Sequence, residues 1–285
     1  MKHVVGLWYF GFIVRILAIA NQKGGVGKTT TAISLGASLA ANDLRVLLVD
    51  LDPQGNATSG LGVNKNNLGA SIYDVLAGEA APLAAVCSTE MDSLDLLPAN
   101  RELIGATVEL TAASNKEFRL KQALEDLRKS YDFVLIDCPP SLGILTVNAL
   151  AAADSLLVPI QCEYFALEGL TELINTIDRV RQTINPTLRI EGVLLTMYDD
   201  RLNLSGQIRE SVQKHLGHQV FEVIIPRNVR LAEAPSFGKP ILLYDKHSSG
   251  ANSYSMLARE ILERSPRPNF LKHLSGTKRQ KEKRT

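Results

Sequence analysis

Two hydrophobic rhythms alternate along the chain. Short runs rich in Val, Ile and Leu recur at RILAIA (15–20), RVLLVD (45–50), LDLLPA (94–99), DFVLIDC (132–138), SLLVPIQ (155–161), IEGVLLTMY (190–198) and QVFEVIIP (219–226). Most of them lack polar alternation. A strand that is apolar on both faces belongs in a parallel sheet with helices above and below. Between the runs, apolar residues fall at helical spacing over 28–42, 101–129, 143–152, 167–184, 203–217 and 251–264. The alternation predicts an α/β fold: a doubly wound, mostly parallel sheet with helices on both faces. No repeat or low-complexity linker interrupts it, so one domain is expected over residues 15–265.

The two ends read differently. VVGLWYFGFIV (4–14) followed by AIA (18–20) imitates a secretory signal. Cleavage there would remove the first strand, and Arg15 leaves the run short for a membrane span. Residues 1–14 are therefore read as an extension, with Val14 a candidate native start. Pro266 and Pro268 stop the last helix. The stretch after it carries seven cations and one anion, in a chain whose net charge is only +1. Residues 266–285 are read as a basic, disordered tail. Three widely spaced cysteines (Cys87, Cys138 and Cys162) form no CxxC pair, which fits a reducing compartment and no disulfide framework.

The chemistry concentrates in ILAIANQKGGVGKTTTAISLG (16–36). It reads strand, glycine-rich loop, helix, which is the context a phosphate-binding loop requires. Gly24, Gly25 and Gly27 let backbone N–H groups approach phosphate oxygens, with Val26 among them. The helix beginning near Thr29 and Thr30 aims its positive end at the anion. Lys28 suits the β- and γ-phosphates of a nucleotide, and the Thr29 hydroxyl suits Mg²⁺. Gln22 stands where a standard loop has its first glycine, and Lys23 is a second lysine with no role in that standard loop. Asp137 ends the strand FVLID, where a carboxylate can hold the Mg²⁺ shell. Asp50 and Asp52 follow RVLLV at the carboxyl end of another strand, and one of them could orient an attacking water. Asp50 is also a candidate metal residue.

KGGVGKTT, VDLDPQGNATSGLG, LIDCPPSLG, YFALEGL and IPRNVRLAEAPSFGKPI together resemble the ParA/Soj family of chromosome- and plasmid-partitioning ATPases. The likeness runs from Arg15 to Arg264. KGGVGKTT alone marks the wider deviant Walker A group. The other segments narrow the resemblance. It implies a sandwich homodimer formed with ATP and Mg²⁺, in which Lys23 reaches the phosphates held by the other subunit. This is a cation supplied in trans where charge develops. The same resemblance makes Asp52 the water-positioning switch I carboxylate. Asp137 becomes the Walker B residue in the second shell of the metal, and residues 139–143 become switch II. It places Pro226 and Asn228 against adenine.

The resemblance also implies a weak ATPase, binding of double-stranded DNA without sequence preference, a ParB-type centromere-binding partner, and a cytoplasmic, nucleoid-associated protein. Among the basic residues Arg201, Arg227, Arg230 and Lys239, it selects Arg201 and Arg230 for DNA. The rival readings are a MinD-type positioning ATPase and partitioning of a cargo other than DNA. Pro266, Pro268 and the apolar-poor TKRQKEKRT end argue against an amphipathic membrane helix, and so against membrane association. The setting CPPS around Cys138 does not match the iron–sulfur ligands of nitrogenase iron proteins.

Overall fold

The computed structural model describes residues 14–112, 114–163 and 166–264. The extension before Val14 and the basic tail lie outside them. In chain order the strands are β1 (Arg15–Ile19), β2 (Val46–Asp50), β3 (Cys87–Ser88), β4 (Leu94–Leu97), β5 (Phe133–Asp137), β6 (Ser155–Gln161) and β7 (Arg189–Thr196). The helices are α1 (Lys28–Ala40), α2 (Asn56–Gly60), α3 (Ile72–Ala77), α4 (Pro82–Ala85), α5 (Leu103–Ala112), α6 (Arg119–Glu125), α7 (Ile144–Ala152), α8 (Ala166–Thr183), α9 (Asn203–Leu216), α10 (Val229–Glu233), α11 (Ile241–Tyr244) and α12 (Ser249–Glu263).

All seven strands join one sheet in the order β3-β4-β2-β5-β1-β6-β7. Every pairing is parallel except that of the short edge strand β3 with β4. The central strands β1, β2 and β5 are buried along their whole length, as their unbroken apolar runs demand. Side chains alternate between two apolar clusters, one on each face of the sheet. Each fully buried Leu, Ile or Val there contributes about 1.5–3 kcal/mol. The sheet therefore holds the loops at its ends far more firmly than any single loop contact does. Register does the positioning. Asp137 lies level with Ile19 of β1 and with Asp50 of β2, so the loops after β1, β2 and β5 leave the sheet at one edge.

The short helices α2, α3, α4, α10 and α11 were not expected from sequence, and three further elements also differ. The run 219–226 does not form a strand. It meets β7 and the loop after it at two isolated bridges, Val193–Val220 and Tyr198–Pro226, and through the Ile225 N–H, which donates to the Leu195 carbonyl at 2.9 Å. Between them the N–H groups of Glu222 and Val223 donate to the Glu260 carboxylate at 2.9 and 3.0 Å, so α12 takes donors that a ladder would need. The helical stretch 101–129 divides into α5, a 3-10 turn (Lys116–Phe118) and α6; Asn115, at φ 55°, is left-handed and precedes the turn. The strand β3 was not foreseen, because two residues carry no periodicity.

Candidate functional site

The loop after β1 closes into a cradle. Gly25 (φ 75°) and Gly27 (φ 85°) are left-handed, a region in which side chains are strained. Gly27 is the N-cap of α1, and Lys28 is its first residue. The loop is braced from β7: Thr196 donates its hydroxyl proton to the Val26 carbonyl at 2.9 Å. Behind it, the buried hydroxyls of Thr31 and Tyr254 are 3.0 Å apart and tie α1 to α12. Gly24 and Gly25 are exposed, while Thr29 and Thr30 are half-buried at the head of α1.

Both lysines of the loop are engaged. Lys28 is only 7% exposed and donates to the Lys23 carbonyl at 3.0 Å. Burial holds its ammonium below the ordinary lysine range, against the opposite pull of Asp137 and Asp52. Lys23 turns outward and pairs with Glu163 at 2.7 Å. Its own N–H donates to Asn21, whose amide is anchored on the Pro159 carbonyl.

Asp137 has the most exposed chemistry in the least exposed place. It is fully buried, and neither carboxyl oxygen has a hydrogen-bond partner. Burial and the neighbouring Asp50 hold its pKa well above the usual carboxylate range; nearby Thr29 and Lys28 pull the other way and lose. A buried carboxyl without partners costs the fold unless a cation or donor arrives. Asp50 differs in this respect. One of its oxygens accepts from the Asp52 N–H at 3.2 Å, and the other accepts from the N–H and hydroxyl of Thr58 at 2.8 and 2.7 Å. The Thr58 hydroxyl accepts in turn from the Ala99 N–H at 2.9 Å. Burial raises the Asp50 pKa to about 6 despite those bonds. Asp50 thus pins α2 to the sheet through one oxygen, while its other oxygen accepts a single bond.

Asp52 is 8% exposed and accepts from the Gln54 N–H at 2.9 Å, at the entrance to α2. That helix abuts the 3-10 turn Ala234–Phe237 after α10. The contact is backbone on backbone. A Cβ on Gly238 would stand 2.7 Å from the Gly62 Cα, and one on Gly62 would stand 3.0 Å from the Gly238 carbonyl. Both glycines are left-handed as well, at φ 82° and 66°.

Pro226 and Asn228 lie in the segment before α10, at the same edge of the sheet as Tyr198. Asn228 caps α10 through the Leu231 N–H and donates to the Ser249 hydroxyl at 2.6 Å. Arg201 follows β7 and is 85% exposed, yet it forms a bidentate pair with Asp199 at 2.8 and 2.6 Å. Arg230 binds Glu233 at 3.0 Å and approaches Asp245 at 3.6 Å. Arg227, beside them in sequence, makes no ion pair among the described residues. Sequence reading missed Thr58, Thr196 and Glu163. Thr58 lies inside the quoted VDLDPQGNATSGLG segment, so a signal was present. Thr196 and Glu163 act across the fold from the loop they support, and nothing local marks them. A cleft of about 670 Å³ opens at the opposite, amino ends of β1, β6 and β7, lined by Arg15, Asp154, Arg189 and Glu191; it shares no residue with the cradle.

The family model described as an AAA domain matches residues 14–190. The chain is 57% identical over 250 residues to the chromosome partitioning protein ParA of Myxococcus xanthus, covering 88% of each. It is 54% identical over 247 residues to the sporulation initiation inhibitor protein Soj of Bacillus subtilis, covering 87% of this chain and 98% of that one. Among solved structures, one described as cobyrinic acid a,c-diamide synthase from Mycobacterium smegmatis with bound ADP and magnesium superposes with a TM-score of 0.77. It is 42% identical and covers 87% of this chain and 93% of its own.

Proposed function

The chain belongs to the ParA/Soj family of chromosome-partitioning proteins, and from that membership we propose that it is an ATP-dependent DNA-partitioning ATPase. ATP drives a sandwich homodimer, the dimer holds double-stranded DNA without reading its sequence, and a ParB-type partner resets it by stimulating hydrolysis. The observation that carries this reading is the buried Asp137 carboxyl, short of well-formed hydrogen bonds and close to Thr29 and Lys28, beside a formed phosphate cradle. An orphaned acidic group next to the Thr29 hydroxyl and the Lys28 ammonium fits an Mg²⁺–nucleotide. Thr29 would hold the metal directly, Asp137 would hold its shell, and the backbone of residues 24–30 would cradle the phosphates. When bound, the metal neutralises charge that builds on the transferring phosphoryl group.

The protein's own groups divide the remaining work. Lys28 is already buried and aimed along the loop, so it positions phosphate without a large rearrangement. Asp52 orients the attacking water. Among the described residues no strong base stands beside it, which fits slow turnover. Pro226 and Asn228 offer a wall for the adenine. Lys23 acts on the neighbouring subunit's phosphates, and for that its pair with Glu163 must open. Both side chains are well exposed, at 38% and 48%, and such pairs are worth only about 0–1 kcal/mol. The opening is therefore a small cost beside a contact with a buried polyphosphate.

Arg201 and Arg230 would then face DNA phosphates, two copies of each per dimer. Among the described residues no helix is long and apolar enough to cross a membrane. Membership of the ParA/Soj family supports a cytoplasmic, nucleoid-associated protein.

The test is the trans lysine. Lys23→Ala should leave ATP binding by the monomer largely intact and remove both the ATP-dependent dimer and hydrolysis. Light scattering after size exclusion reads the dimer, with Asp52→Ala used to trap ATP. A Lys23→Ala/Asp52→Ala protein that still dimerises with ATP would overturn the trans role.

A further inference from the structure

Helix α5 is apolar on two sides but covered on one. Leu103, Ala106 and Leu110 enter the core, all under 5% exposed. Ile104 and Val108, one turn apart on the other side, are 53% and 73% exposed. An exposed apolar pair one turn apart, on a helix whose opposite side is already packed, offers a surface on which an occupant could bury.

The surroundings of the stripe say which kind. Helix α3 packs beside α5: a Cβ on Gly105 would meet the Tyr73 ring at 3.7 Å. The Tyr73 hydroxyl donates to both oxygens of Glu109, at 3.3 and 3.2 Å. Glu79 and Asp74 add their charge around the same hydroxyl and help to raise its pKa. Glu102 stands exposed just before α5. Among the described residues none of these four carboxylates forms an ion pair. Arg101 and Lys116 are the nearest cations in sequence, and the acids outnumber them.

An anionic face of this kind repels DNA and acidic lipid alike. It also disfavours a second copy of itself, because a twofold interface would set the same carboxylates against one another. Topology adds a further point. Helix α5 packs on one face of the sheet through Leu103, Ala106 and Leu110, whereas α10, which carries Arg230, packs on the other through Leu231, and Arg201 follows the far edge strand β7. A ligand on α5 would leave the arginine surface free.

We propose that the α3–α5 face is the docking site for a cationic amphipathic segment of the partner protein, with its apolar side chains on Ile104 and Val108 and its Lys or Arg groups on Glu79, Glu102 and Glu109. This rests on the partner reading above and gives it a place.

The probe is a fluorescein-labelled peptide of about 15 residues, with Leu at positions four apart and Lys at most others, read by anisotropy on the full chain with ATP. Affinity of order 10 μM is expected. Ile104→Ser/Val108→Ser should weaken it at least 5-fold with unchanged ATP affinity; both side chains are exposed, so folding is not at risk. Glu102→Lys/Glu109→Lys should abolish it and create affinity for the same peptide with Glu in place of Lys, a gain that structural damage could not produce. The proposal is overturned if the wild type does not bind, or if all variants bind alike. It is also overturned if deletion of residues 266–285 raises affinity tenfold, which would make the chain's own tail the occupant. Loss of the ATP dimer on light scattering in the Ser variant would make the face a contact between copies and overturn it too. ParB-type stimulation of ATPase that survives the Glu102→Lys/Glu109→Lys change would sink this site while leaving the partitioning function standing.

Discussion

The phosphate cradle and the arginine surface lie at the same end of the sheet, yet they hold charge in opposite ways. In the cradle, Lys28 and Asp137 are buried, and the Asp137 oxygens lack a well-formed hydrogen bond. On the surface, Arg201 is 85% exposed and Arg230 is 55% exposed, and each already grips a carboxylate. A buried unsatisfied group gains nearly the full strength of whatever ligand satisfies it. An exposed, paired group gains only the difference between its old partner and its new one, screened by salt. The cradle is therefore suited to affinity. The arginine surface, in the proposed role, would suit binding that needs several copies and can be reversed.

The largest expected effect strains the cradle half of this contrast. Asp137→Asn removes the ionisable group that burial opposes. The nucleotide-free protein should melt a few degrees higher, about 3–5 °C, while the rise produced by ATP and Mg²⁺ should largely disappear. The pH dependence has a definite sign. A carboxyl whose pKa is raised by folding keeps a proton that the unfolded chain has lost, so stability falls as pH rises above the unfolded value near 4. Asp50, at about 6, shares this behaviour with Asp137. Nucleotide-free stability should decline between about pH 4 and 6, less steeply in Asp137→Asn. Differential scanning fluorimetry over that range, with and without Mg²⁺–ATP, measures both. An unchanged ligand-induced shift in the variant would break the contrast.

The next effect is on the surface. Arg201→Glu or Arg230→Glu should weaken DNA binding by the ATP-bound protein about 10-fold near 0.15 M salt and leave ATP affinity unchanged. Anisotropy with two unrelated duplexes over a salt series reads the loss and shows whether sequence matters. Equal binding with ATP and ADP would place the DNA contact elsewhere.

The smallest effect sharpens the difference most. Asp199, held down to about pKa 2 by its hydrogen bonds from Arg201, stays ionised and competes with any phosphate for that guanidinium. Asp199→Asn should raise DNA affinity about 2–3-fold, of the size an exposed ion pair allows. No gain in the same anisotropy assay would mean that Asp199 orients Arg201 for DNA and does not restrain it.

The sequence was most readable where the backbone itself does the work. The buried parallel strands, the glycines of the phosphate loop and the carboxylates at strand ends all follow from local pattern, because burial on both faces and left-handed turns leave direct marks on residue choice. The run 219–226 misled because the Glu260 carboxylate, distant in sequence, captures its N–H groups. The anchoring of Asp50 was hidden for a similar reason: a strand-end Asp reads the same whether or not it also holds the N–H and hydroxyl of Thr58. The brace from Thr196 to Val26 and the pair between Lys23 and Glu163 join residues 170 and 140 positions apart. No window of sequence spans such distances.

The loop after α2 bears on how movement travels. Gly62 and Gly238 meet with no side chain between them. Most contacts between loops behave like padding, since a displacement on one side can be absorbed by a rotamer hop on the other. Two backbones in direct touch have no such slack. A shift of Asp52 and α2 as a nucleotide arrives would pass to the turn behind Arg230 almost undamped, as through a bearing without play. Substituting either glycine by alanine would add that padding together with the strain of a left-handed side chain. The nucleotide end and the arginine end could then each keep its own ligand chemistry and still lose their timing.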